Sequence, residues 1–289
     1  MLKTLSGYRS ILYIKNLLDM QNNGDWDQIL YQDKNNQKIN QPKKKAANFR
    51  LLLLALKLWA KNNYIYSNKF GYLNGVILTI MVTKIVLLYP NSTIPFLMEK
   101  FFLFYATRPF QVPIQLHKNS VEPMADDPFL FQNPMEQQMA VITPAFPLQN
   151  ASKMVTHSTA KIIRRELIEG LNRIRAMKME NNFDWAKLLN HSVPFLDKYD
   201  QFIMINCMAE SSIGGDNFCQ FVDGRIRLQI VDSIDVENKE NIVVETRLFP
   251  DVCRHDCLLS KQFVKTSFRT NVCKMWIVGI KLAQNITSI

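Results

Sequence analysis

Between positions 70 and 89 the chain is apolar almost throughout, interrupted by Asn74 and Lys84 and ended by Pro90. A membrane span needs about 20 apolar residues with almost no charge. An interrupted run of this kind instead reads as a fully buried core helix, expected over 74–88. The neighbouring sequence supplies further helices. Leu51-Leu52-Leu53-Leu54-Ala55-Leu56 lies in a helix expected over 50–61, capped by Asn48 and apolar nearly all round. Arg50, Lys57 and Lys61 fall on one stripe as its polar face. A third helix is expected over 94–105. A fourth, capped by Ser158, runs to about Met179 with Ile163, Leu167, Leu171 and Ile174 on one face and Arg164, Arg165, Arg173 and Arg175 around them.

The flanking stretches read differently. Positions 17–46 are polar and charged, with Pro42-Lys43-Lys44-Lys45 at their end, and are expected to form a loop. Positions 107–150 read as a long ordered crossing without periodicity. Beyond Asn181-Asn182 the period changes. Strands are expected at 202–208, 242–244 and 275–280, with a helix over 216–232 that turns Phe218, Phe221, Ile226 and Ile230 inward. The fold class expected is α+β: an all-helical part, then a small α/β sandwich, with the boundary near 180.

Composition narrows the function classes. Only 9 of 289 residues are glycine, and neither G-x-G-x-x-G nor G-x-x-x-x-G-K occurs, which excludes the Rossmann and P-loop phosphate sites. Lys and Arg number 35 against 25 acidic residues, a net charge of +10, which favours polyanionic partners such as nucleic acid or nucleotides. The excess is uneven, with 16 basic and 9 acidic side chains over 1–150 against 19 and 16 over 151–289. The five cysteines all lie in the last third, and no apolar leader follows Met1, so a reduced intracellular setting is expected. Cys253 and Cys257 flank His255 but lack a second ligand pair at zinc spacing, and read as ordinary thiols. The histidines His117, His157, His191 and His255 are not spaced as metal ligands.

Two constellations bear on chemistry. Asp25-Trp26-Asp27 has the alternation by which a strand presents two carboxylates to Mg²⁺. Its flanks are Asn22-Asn23-Gly24 and Gln28, with no Gly-Ser turn upstream, which argues against that use. The other is a ladder of nine-residue steps. Lys57 sits on an apolar helix and needs a counter-charge or a wet cleft, since burying it unpaired is costly. Tyr66 offers a ring for a base. Gly75-Val76 opens a helix, where free backbone N–H groups favour an anion.

These residues and their neighbours resemble a known family. Asn48-Phe49-Arg50 through Val76 is similar to the central-domain signature of eukaryotic nuclear poly(A) polymerases. The likeness continues through Leu87-Leu88-Tyr89-Pro90-Asn91, Lys100-Phe101-Phe102, Ile142-Thr143-Pro144-Ala145-Phe146-Pro147 and Thr156-His157-Ser158-Thr159. Trp185-Ala186-Lys187-Leu188, Phe195-Leu196-Asp197-Lys198-Tyr199 and Met275-Trp276-Ile277-Val278-Gly279 resemble parts of that family's RNA-binding domain, and Ser6-Gly7-Tyr8-Arg9 echoes the turn before its central domain. The resemblance implies a leading segment and polar loop over 1–46, a helical central domain over 47–180, and an RRM-like RNA-binding domain over 181–289.

It further implies template-independent addition of adenylate to RNA 3′ ends in the nucleus, with ATP as substrate, Mg²⁺ as the metal, RNA and mRNA 3′-processing factors as partners, and no membrane. Lys57 would contact the ATP phosphates, Tyr66 would bind phosphate or pack beside the nucleotide, and Asn68, Gly75 and Val76 would surround the adenine or ribose. There are departures. Ser6 and Asn74 stand where the family carries Asn and Gly. The family's three metal-binding aspartates belong to a domain upstream of the first residue here, and the family's RNA-binding domain continues beyond the last strand. The expectation is therefore a chain with ATP-positioning and RNA-binding parts that does not adenylate alone, the alternative being a non-catalytic RNA-binding or scaffolding paralogue.

Overall fold

The structure is a computed structural model that describes residues 6–20, 41–110, 112–116, 138–145, 148–180, 184–189, 194–209, 212–238, 242–249, 253–254 and 272–283. Five long helices come first: α1 (Ser6–Met20), α2 (Gln41–Asn62), α3 (Gly75–Leu88), α4 (Ile94–Thr107) and α5 (His157–Met179). The apolar run at 70–89 becomes the centre of the bundle, with Ile77, Leu78, Ile80, Met81, Val82 and Ile85 fully enclosed on α3. Aromatic side chains of α4 fill the space around it. Phe102 meets Trp59 of α2 edge to face at 4.8 Å, and the Tyr105 hydroxyl donates to the Met81 carbonyl at 2.9 Å. Where α4 crosses α5, a Cβ on Gly170 would lie 2.6 Å from the Phe102 ring, so only glycine lets the two helices approach this closely.

Several expectations need correction. Residues 17–20 and 41–46 are helical, because α1 and α2 reach into the stretch read as loop. Lysine forms helices well, so the run Lys43-Lys44-Lys45 does not stop α2. Asn48 consequently lies inside α2, where its amide donates to the Ser92 carbonyl at 3.0 Å instead of capping the helix. Nor is α2 buried all round, since Leu51, Leu54 and Leu58 are exposed beside its charged stripe. The cap of α5 is Thr156, in a reciprocal capping box with Thr159, two residues before the expected Ser158. The crossing at 107–150 closes on itself through bridges pairing Ile114 with Val141 and Ile142 with Asn150.

The C-terminal part holds two short helices, α6 (Trp185–Leu189) and α7 (Phe195–Lys198), strand β1 (Gln201–Ala209), helix α8 (Ser212–Ile226), a π-type turn at Arg227–Val231, α9 (Asp232–Glu237), β2 (Val243–Leu248), β3 (Cys253–Arg254) and β4 (Val272–Leu282). β4 is central and antiparallel to every partner. β1 lies on one side, pairing Gln201 with Ile280 through Ala209 with Val272, while β2 and β3 share the other side. The fold class is α+β. Of the four side chains expected inward over 216–232, Ile226 is buried and Ile230 packs partly buried on the core, but the two phenylalanines face outward. Phe218 and Phe221 are exposed, and the buried side chains are Cys219 and Ile226. The π-type turn that follows buries Arg227 and Val231, with Ile230 partly buried beside them. Cys219 and Cys207 are both buried and bring their sulfurs to 2.9 Å between α8 and β1.

No helix among the described residues is long and apolar enough to cross a membrane. Asp25, Asp27, His117, Asp126, Asp127, His191, His255 and Cys257 lie outside the described residues.

Candidate nucleotide site

The site is built around the turn that ends α2. The Tyr64 amide donates to the Lys61 carbonyl and the Ile65 amide to the Ala60 carbonyl, both at 2.9 Å, which closes a Schellman motif. That motif needs a left-handed residue, and Tyr64 supplies it at φ 51°, an uncommon conformation for a side chain of this size. Ring packing offsets the strain, with Phe249 4.8 Å from the Tyr64 ring centre and Phe195 at 6.2 Å.

The reversed chain lays Tyr66 alongside the last turns of α2. Lys57 and Lys61, four residues apart and both exposed, place their ammonium groups 5.5 and 5.8 Å from the Tyr66 ring centre. A bridge between Tyr66 and Leu73, a 3-10 turn at Asn68–Phe70 and a left-handed Gly71 at φ 78° then turn the chain into α3. At Gly71 a Cβ would also strike the Met154 carbonyl at 2.8 Å. Gly75 comes to rest beneath Tyr66, the position of its missing Cβ lying 3.6 Å from the phenol oxygen.

Lys57, Tyr66 and Gly75 therefore converge. Asn74 caps α3, its side-chain oxygen accepting from the Ile77 amide at 2.8 Å, so this donor is already used. The Gly75 and Val76 amides, as first-turn donors, have no intrahelical partner, and the positive end of the helix dipole lies with them. The Val76 side chain packs on the core. Asn68 sits two residues past Tyr66, and its buried amide oxygen has no hydrogen-bond partner among the described residues. Neither Lys57 nor Lys61 enters an ion pair among the described residues. This cationic site, the hollow, thus sets two ammonium groups over an aromatic ring whose hydroxyl rests against the first turn of α3. Sequence reasoning left out Lys61, although its spacing from Lys57 put it on the same stripe.

The loop behind this hollow is fastened to the C-terminal part. Lys69 pairs with Asp223 of α8, which also accepts from the Trp276 indole at 3.0 Å, and Arg227 donates to the Lys69 carbonyl at 3.1 Å. A second, buried junction lies beside it. Glu166 of α5 accepts from Arg247 of β2 at 3.2 Å, from Lys198 at 3.2 Å and from Arg165 at 3.0 Å. Arg165 also binds Glu245, which the Tyr199 hydroxyl reaches at 2.5 Å. Arg247 is fully enclosed and donates to the Asn63 carbonyl at the end of α2. Burial opposes charge on Glu166, but Arg247, Lys198 and Arg165 outweigh it and hold the carboxyl below its ordinary value. Glu245 is also held low, because Arg165 and the Tyr199 hydroxyl outweigh its burial. Burial lowers the Lys198 ammonium.

Among the described residues no three His, Cys, Asp or Glu side chains gather as a metal would require. The acids and bases of the junction are spent on one another, whereas the ammonium groups of the hollow are not paired with carboxylates among the described residues.

Residues 48–191 match the family described as Poly(A) polymerase central domain. Poly(A) polymerase PAPa of Candida albicans is 27% identical over 186 residues, covering 63% of this chain and 33% of that protein. Poly(A) polymerase of Dictyostelium discoideum is 28% identical over 184 residues, 63% of this chain and 22% of that protein. The match thus spans a third or less of these relatives' length. The helical bundle that carries Lys57, Tyr66 and Gly75 is the matched region, and through it this chain is a poly(A) polymerase central-domain protein.

Proposed function

We propose that this chain positions ATP for adenylate addition to RNA 3′ ends in the nucleus. The convergence of Lys57 and Lys61 on Tyr66, with Gly75 against the phenol, carries this reading. The two ammonium groups and the amides at the start of α3 offer a polyphosphate fixed positive charge. The Tyr66 ring is a surface for the nucleotide and its hydroxyl a donor to phosphate. The stranded Asn68 oxygen is an acceptor for an adenine amino group or a ribose hydroxyl. The RNA end would lie against the C-terminal sheet. Mg²⁺ is the metal of this chemistry, but the described residues offer no cluster for it, so no step is assigned to a metal held by this chain.

Titration calorimetry with ATP and GTP tests the reading. ATP is expected to bind more tightly than GTP. Lys57→Ala should weaken ATP about tenfold, the equivalent of about 1.4 kcal/mol, and Tyr66→Phe should weaken it less. ATP binding unchanged in Lys57→Ala would refute it. A labelled-ATP tailing assay asks a separate question: no incorporation by this chain alone is expected.

A further inference from the structure

α3 carries a second unusual cation. Lys84 stands among enclosed neighbours (Met81, Val82, Ile85 and Val86) and lines a pocket of about 320 Å³ with Phe104, Arg108, Val112, Pro113, Ile114 and Gln115. Pockets for small ligands start near this size. Lys84 and Arg108 face it together, and neither enters an ion pair among the described residues. The Arg108 guanidinium donates to the Pro113 carbonyl at 3.0 Å and lies over the Phe104 ring at 5.5 Å. Its Nε is buried without a partner among the described residues. Burial lowers the Lys84 ammonium, and the like charge of Arg108 lowers it further, as expected where a counter-charge is wanting.

Among the described residues, the helix ends supply part of that counter-charge. Arg108 caps the C-terminus of α4, and Lys84 lies four residues before the end of α3. Each helix end is worth about half a negative charge, so roughly one positive charge of the two remains. The pocket is also separate from the nucleotide hollow. Lys84 is nine residues beyond Gly75, which is about 13 Å along the helix and about half a turn around it, on the opposite face.

We propose that Lys84 and Arg108 form a binding site for a phosphate-type oxyanion, distinct from the nucleotide hollow. A phosphate-type oxyanion carries about one charge as a phosphodiester and about one to two as the free ion, enough to offset the charge that remains, and its tetrahedral oxygens can meet both cations at once. The guanidinium fork suits its oxygens, and the buried Nε supplies a donor in need of an acceptor. The small volume favours a compact anion, whether free phosphate or one phosphate of an RNA backbone.

The test is the thermal stability of the full chain in inorganic phosphate against chloride at matched ionic strength, made in a Lys57→Ala/Lys61→Ala background that disables the hollow. Phosphate is expected to raise Tm by several degrees in this background. Lys84→Met and Arg108→Met should each abolish most of that rise, and Lys84→Met should start from an equal or higher Tm in chloride, because one of two facing cations has gone. Lys84→Arg should keep the rise. Phosphate binding at least tenfold weaker in Lys84→Met by calorimetry is the matching expectation. A hydroxyl-ended oligoadenylate that displaces phosphate assigns the site to an RNA backbone, and failure to displace it assigns the site to the free anion. Loss of the response in the Lys57→Ala/Lys61→Ala background would place the anion in the hollow and overturn the proposal. An equal response in Lys84→Met and its parent would also overturn it.

Discussion

The hollow at the end of α2 and the junction at the middle of α5 use the same kinds of side chain to opposite ends. In the junction, Arg165, Lys198 and Arg247 share Glu166 and Glu245, so that every one of these cations has a carboxylate partner. In the hollow, Lys57 and Lys61 meet an aromatic face and helix-terminal amides. A matched cluster holds two parts of a chain together, and an unmatched one is left for a visitor. Stability should therefore depend on the first and ligand affinity on the second. The two are close neighbours: Arg247 holds the Asn63 carbonyl one residue before Tyr64, whose turn positions Tyr66.

The largest effect is expected from Glu166→Gln. Arg247 and Lys198 would keep their charges in a buried setting with their shared carboxylate gone, and breaking such a cluster from one side costs about 3–5 kcal/mol. Urea denaturation of variant and parent measures it. Replacing Glu166 and Arg247 together by methionine is the sharper comparison. If the pair mainly specifies geometry, the double variant should lie much closer to the parent than Glu166→Gln does, and an additive loss would show that each charge stabilises by itself.

How much of this was legible in the sequence follows from how local each signal is. α3, α4 and α5 could be read because their periodic apolar residues lie within one helix. The meeting of Lys57, Tyr66 and Gly75 could be expected because they lie within twenty positions, on one helix–turn–helix passage. The junction could not, since positions 165, 166, 198, 245 and 247 come together only after the sheet has docked on α5. The two phenylalanines of α8 were misread for a related reason. Phe218 and Phe221 are the larger apolar groups, yet the helix turns Cys219 inward because Cys207 of β1 is there to meet it. α1 was missed because the polar stretch after it drew Leu17 and Leu18 into a loop reading, although with Ile14 they make an i, i+3, i+4 face.

Acid should separate the two regions next. Glu166 and Glu245 titrate below their ordinary value of 4.5 in the folded chain. Their contribution is therefore fully present above that value and is lost as pH falls through the lower folded values. The expected outcome is a Tm that drops steeply below about pH 4.5, with a smaller drop in the double methionine variant. A drop of equal size in both would assign acid sensitivity to other carboxylates.

A more modest effect is expected at the tie between the two regions. Asp223→Ala removes the partner of Lys69 and the acceptor of the Trp276 indole. The Lys69 pair is partly exposed and contributes little. The buried indole left without an acceptor should cost about 1–3 kcal/mol. The useful reading is the second one: ATP affinity should fall as well, although Asp223 lies outside the hollow, because the loop at 67–71 loses an anchor. Unchanged ATP binding in a destabilised Asp223→Ala would mean that the turn motif alone fixes the hollow.

The smallest stability change completes the contrast. Lys57→Ala removes an exposed ammonium that enters no ion pair among the described residues, and surface changes of this kind fall within about 0.5 kcal/mol in either direction. Alanine also favours the helix, which offsets the lost contact with Tyr66. Urea midpoints of parent and variant should therefore coincide while ATP affinity falls. A variant that lost stability and affinity together would show that Lys57 serves the fold through its position over Tyr66, and the division of labour between matched and unmatched cations would fail at the residue on which it leans most heavily.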